Sequence, residues 1–150
     1  MSRVPKLRKS DGGASLVEFA MLMPFLLLLL IGVVEFSWTF ATDLDVKQGA
    51  REGARLAAVD FPGIDNAAMA AEICSRMDLV GSNPATTITW TSDGTPAVGE
   101  GVTVTVSTPH ETLTGFLDWA FASVTSLDAT VEIRIEQRPS WDDTTPINCP

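Results

Sequence analysis

The sequence predicts an α+β protein: a long N-terminal transmembrane helix continuing into an extracytoplasmic stem, followed by a small α+β domain with about three antiparallel strands. Three observations carry that prediction. Ala14 to Ala41 is a largely apolar stretch whose only charges are Glu18 and Glu35. Val46, Ala50, Gly53, Ala54 and Ala57 then recur at the spacing of one helical face. Further on, segments rich in Thr, Val and Ile alternate with a period of two, as half-buried strands do. The expected divisions are a basic leader at 1–13, a membrane helix at 14–41, a helical stem at 42–60 and the α+β domain at 61–150.

The apolar stretch is apolar on every side between Phe25 and Ile31, as contact with lipid requires. As a helix, Ala14 to Ala41 would be roughly 42 Å long at about 1.5 Å per residue, enough to cross a bilayer. Arg3, Lys6, Arg8 and Lys9 precede it, whereas Asp43 and Asp45 follow it, so the positive-inside rule keeps the N-terminus cytoplasmic. A cleaved secretory signal would have a shorter apolar run and a small-x-small cleavage site. Here the run is longer, Glu18 interrupts its start, and Ser37 to Ala41 lacks an Ala-x-Ala pattern. Pro24 removes a backbone donor and is expected to bend or loosen the helix.

Charge separates the ends of the chain. Of ten basic and nineteen acidic residues, six basic and eighteen acidic lie from Ala14 onward. So acidic a body is ill suited to nucleic acid, while the basic head suits acidic membrane lipid. Cys74 and Cys149 are the only cysteines, and in an oxidising compartment they are a candidate disulfide, although the sequence gives no distance between them. With His110 they are too few for a structural zinc site, so no metal and no cofactor is expected. His110-Glu111 is the one pair reminiscent of acid–base chemistry. It comes without a nucleophile motif, a phosphate loop or an HExxH sequence, and no catalytic residue is assigned.

Glu18 is the residue that needs a reason. A carboxylate near the start of a membrane helix either sits at headgroup level, favoured by the helix dipole, or awaits a positive partner. Gly13-Ala14-Ser15-Leu16-Val17-Glu18-Phe19, behind a basic leader and ahead of an apolar helix, resembles a class III prepilin signal. Such a signal is cut after glycine and leaves glutamate as the fifth mature residue. Cutting between Gly13 and Ala14 satisfies that register; cutting after Gly12 would make Glu18 the sixth. The likeness extends from Gly12 to Val59 through Pro24, Glu35-Phe36 and the run Ala50-Arg-Glu-Gly-Ala-Arg55, and it is to the TadE-like proteins of the tight-adherence (Tad/Flp) pilus system. Glu18-Phe19 replaces the Glu-Tyr of the major Flp pilins, which are also far shorter, so the resemblance is to a minor pseudopilin.

This resemblance implies a set of partners: a prepilin peptidase, other minor pilins and the Flp major pilin, an inner-membrane assembly platform, and membrane lipid. It also implies assembly contacts at Glu18 and Phe19. Glu18 would neutralise the α-amino group of a neighbouring subunit, and the protein would lie in a bacterial inner membrane or be drawn into a pilus. The alternative reading is a membrane-anchored binding or sensor domain unrelated to pili, which would keep its leader.

Beyond the membrane, the small face of the stem allows a partner to approach closely, and Lys47, Arg51 and Arg55 form a basic stripe at four-residue spacing. That stripe is either a solvated face, with Asp43 supporting Lys47, or a docking seam for acidic neighbours. Phe61-Pro62-Gly63 should end the helix, and Asp65 should cap a second one running to Leu79, with Met69, Ile73, Met77 and Val80 inward. Strands are expected at 85–91, 101–107 and 127–137. A short helix built on Leu113, Phe116, Leu117, Ala120, Phe121 and Val124 should pack on the sheet, and the tail from Pro139 should be irregular, tied back through Cys149.

Overall fold

A computed structural model describes residues 12–59, 65–116, 118–121 and 123–150. The leader from Met1 to Asp11, the Phe61-Pro62-Gly63 turn and Leu117 lie outside them. Seven elements follow one another: α1 (Gly12–Val59), α2 (Asn66–Ser75), β1 (Thr87–Ser92), β2 (Gly101–Pro109), α3 (Asp118–Phe121), β3 (Ser126–Arg134) and β4 (Ile147–Asn148). The long apolar helix followed by a small antiparallel α+β domain is the architecture expected, with four strands in the order β3-β2-β1-β4. The stretches expected as membrane segment and stem form one helix of 48 residues, which passes through Pro24 without ending.

The sheet is apolar on one face only. Its register places Ile88 opposite Val106 and Trp90 opposite Val104, with Ala129, Val131 and Ile133 aligned beyond them on β3. Thr89, Thr103, Thr105, Thr130 and Glu132 alternate onto the other face. The apolar face is covered by α1 and α2, whose Val46, Ala50, Ala54, Ala57, Met69 and Ile73 join the same core. The small face of α1 therefore does receive a close neighbour, and that neighbour is the chain's own domain. A Cβ on Gly53 would stand 3.0 Å from both Ile73 Cδ1 and Val104 Cγ1, so α1 lies against α2 and β2 at glycine distance. Gly53→Leu is expected to destabilise the domain by about 2–3 kcal/mol in a urea titration, although glycine is ordinarily a poor helix residue. At Gly49 the near neighbour is the flexible side chain of Met77. Gly49→Ala is accordingly expected to cost less.

The domain also satisfies the end of α1. The carbonyl of Ala58 accepts from the N–H groups of Glu136 and Gln137 at 2.8 and 3.2 Å. That of Ala57 accepts from the Trp141 indole at 3.1 Å. Asp65 caps α2 as expected, accepting from Ala68 N–H at 2.8 Å. Met69, Ile73, Met77 and Val80 are all buried.

Four expectations are corrected. α2 stops at Ser75 rather than Leu79, because Gly81 folds under its end, where a Cβ would collide with the Cys74 carbonyl. β1 begins two residues late, since Asn83 takes the N–H groups of Ala85 and Thr86 into a turn. The tail contributes a fourth strand, β4, paired to β1 through Asn148–Thr87 and Ile147–Ile88. The expected packed helix around 113–124 shrinks to the four residues of α3, and Leu113, Phe116 and Val124 are exposed. The sheet has no second apolar face to receive them.

Candidate functional site

Two halves of α1 do different things. From Gly13 to Leu30 every side chain is exposed, and the apolar ones among them make an unpartnered cylinder. Gly13, Ala14, Glu18 and Phe19, the residues singled out in the sequence for processing and assembly, all lie on this half. Among the described residues nothing pairs with Glu18, the only charged side chain on α1 before Glu35.

Glu35 has the opposite environment. Its side chain is fully buried. The backbone N–H of Leu113 donates to Oε2 at 2.9 Å, and that of Thr114 to Oε1 at 2.7 Å. The Thr114 hydroxyl donates to the same Oε1. About one turn further, Thr39 Oγ1 lies 3.1 Å from His110 Nε2, so His110 is a contact to the helix. Ten residues beyond Glu35, Asp45 repeats the arrangement with another loop. Its carboxylate accepts from the N–H groups of Asp78, Leu79 and Val80 at 3.0, 2.9 and 3.0 Å. Two carboxylates of one helix thus gather the backbone amides of two loops, each acting as an anionic cap for N–H groups left over by the turns. The sequence reading missed both roles. An acid inside an otherwise apolar helix was the available signal for Glu35, whereas Asp45 gave none.

The basic stripe is largely neutralised from within the chain. Lys47 Nζ lies 2.6 Å from Asp43, as the four-residue spacing implied. Arg55 makes two hydrogen bonds to Glu52 at 3.0 and 2.6 Å. Those bonds hold the Glu52 carboxyl below its ordinary pKa against the opposing effect of burial, and the charges of Arg55 and Arg76 add to the lowering. Arg76, on the end of α2, reaches Glu52 at 3.8 Å and Glu72 at 2.6 Å, and was not part of the expected stripe. Arg51 alone of the three stripe residues has no ion pair among the described residues. With Arg55, Arg76, Gln48 and Leu44 it lines an open groove between α1 and α2.

Cys74 and Cys149 are joined in a disulfide, with their Cα atoms 5.8 Å apart. Among the described residues no three His, Cys, Asp or Glu side chains come together to hold a metal ion.

A small antiparallel domain seated on the second half of a helix whose first half is bare and apolar defines a class, that of domains carried on a single anchoring helix. Gly13–Val59 is the one described helix long and apolar enough to cross a membrane. Residues 13–55 match the model of the family described as TadE-like protein, the family to which the sequence resemblance points. The match ends within α1 and includes none of the sheet. Searches of curated proteins and of solved structures returned no match. The match and the single apolar helix together fit a membrane-anchored, Tad-pilus-associated protein.

Proposed function

We propose that this chain is a TadE-like minor pseudopilin, cut by a prepilin peptidase between Gly13 and Ala14 and taking part in assembly of Tad/Flp pili. The observation that carries the reading is Glu18: an unpaired carboxylate, the fifth residue from the new terminus, on an exposed helix with no other charge before Glu35. The α-amino group released at Ala14 is largely protonated near neutral pH, with an ordinary pKa of about 7.7–8.0. In the membrane, a Glu18 carboxylate on one subunit and that amine on the next each offset the other's desolvation. The leader orients the chain with its domain outside, and the bilayer span ends near Val34, where the domain begins to cover α1.

The deciding measurement is the intact mass of the protein taken from its native membrane. A start at Ala14 supports the reading; retention of residues 1–13 overturns it in favour of an anchored binding or sensor domain. Glu18→Ala is expected to abolish recovery of the chain with pilus components while leaving the fold of the domain intact, and unchanged recovery would remove the role given to Glu18.

Arg51 and Arg55 are the proposed docking residues for other minor pilins. Both are exposed, and exposed ion pairs contribute little, so Arg51→Glu with Arg55→Glu should leave the denaturation midpoint of the domain essentially unchanged. Co-purification of acidic partners should nevertheless fall. A matching loss of stability would assign the pair a structural role instead.

A further inference from the structure

The connection between β2 and β3 carries large apolar side chains that the domain does not bury. Leu113 is 52% exposed, Phe116 55% and Trp119 77%. They are not a displaced part of the core, since α1 and α2 already cover the apolar face of the sheet. Their location on the molecule is fixed. Glu35 holds the backbone of Leu113 and Thr114, so the connection is fastened to α1 at one level of its axis. From Ala14 to Val34 the helix is roughly 32 Å long at about 1.5 Å per residue. That length equals the hydrocarbon thickness of a bilayer, about 30 Å. Glu35 then stands at the outer edge of the hydrocarbon, and so does the loop fastened to it.

The helix adds aromatic side chains at the same level. Phe36 and Phe40 stack with ring centroids 6.3 Å apart, and both are more than half exposed. Exposed rings thus follow Glu35 on the helix, and Phe116 follows the Leu113–Thr114 contact by two residues on the connection, near the level at which membrane proteins place their aromatic belts.

We infer that the described parts of this connection, 111–116 and 118–121, form a membrane-interface foot, with Leu113, Phe116 and Trp119 seated at the boundary between lipid headgroups and acyl chains. Lipid is the occupant because the connection is fastened beside Glu35, where the helix leaves the hydrocarbon, and its large side chains are apolar and exposed. The foot contains Glu111 and Asp118, and no lysine or arginine occurs between His110 and Thr125. Its lipid preference is therefore for zwitterionic rather than anionic headgroups. The foot fixes how deeply the domain sits and covers the buried Glu35 from water. The inference rests on the membrane crossing in the proposed function and is independent of the pilus role.

The test uses the full chain in phosphatidylcholine vesicles whose acyl chains carry bromine, which quenches indole fluorescence on contact. Trp119 is isolated as the difference between the wild type and Trp119→Phe, a substitution at an exposed site. Most of that difference should be lost in vesicles brominated near the headgroup, and aqueous iodide should leave it unchanged. Quenching by iodide without quenching by bromine would place the loop in water; protection from both would place it against protein. Either result overturns the foot. Leu28→Trp in the Trp119→Phe background separates the two levels of the argument. If the indole introduced at mid-span is quenched by deeply brominated lipid while that of Trp119 is not, the foot alone fails. If the mid-span indole is not quenched, the membrane crossing fails with it.

Discussion

Replacing Cys74 and Cys149 together by alanine should lower the stability of the domain by about 4 kcal/mol, the chain-entropy value for a closed loop of this length. The two residues are separated by 75 positions, so the bond removes much freedom from the unfolded chain. The last strand itself is short: β4 has two residues and pairs with β1 at two positions, with the Cys149 N–H adding a bond to the Thr86 carbonyl at 2.9 Å. A small domain has about 5–15 kcal/mol in total, and the loss would be a large part of it. Chemical denaturation with and without reductant checks the expectation. Reduced wild-type protein and the double variant should unfold at the same denaturant concentration. A difference between oxidised and reduced protein below about 1 kcal/mol would mean that the bond does not constrain the unfolded chain.

Asp45→Ala should have the next largest effect, about 3 kcal/mol. Three backbone N–H groups, those of Asp78, Leu79 and Val80, lose a charged acceptor in one step. Val80 is itself buried, so water is a poor substitute for the carboxylate there. Asp45→Asn keeps one acceptor oxygen and should cost about half as much. Equal losses in the two variants would show that charge, rather than the number of acceptors, holds the loop. Amide hydrogen exchange at Leu79 and Val80 should accelerate in both variants, because those N–H groups are the ones released.

What the sequence reveals and what it conceals divide along physical lines. Lipid-length apolarity, the small face of α1 and the alternating strands are periodic signals, and each reports an element that buries or exposes one whole side. β4 is too short to have a period, and only the pairing of Ile147 and Asn148 with β1 makes it a strand. The stretch from Leu113 to Val124 has apolar residues at helical spacing, yet spacing does not say what an apolar residue faces. The sheet had no face to offer, and Leu113, Phe116 and Val124 stayed outside. Glu35 and Asp45 were hidden for another reason. Their partners are backbone amides, which every residue possesses, so no residue type far along the chain marks the contact in advance. Gly13, Ala14, Glu18 and Phe19 could be proposed from sequence because they form a local pattern, and they lie within the match over residues 13–55. The pairing of Arg55 with Glu52, and of Glu52 with Arg76, needed α2 to be set beside α1.

The disulfide also decides how the molecule answers a mechanical load. Tension applied between α1 and any point beyond Cys149 runs through Cys74 and crosses directly to Cys149. The whole sheet lies between those two residues and is bypassed by the force. With the bond intact, the segment it encloses adds nothing to the extended length; without it, the segment would release roughly 250 Å at about 3.4 Å per residue. Pulled from its helix, the oxidised protein behaves as a short tether carrying a sheltered domain, and the reduced protein as a long one that unravels.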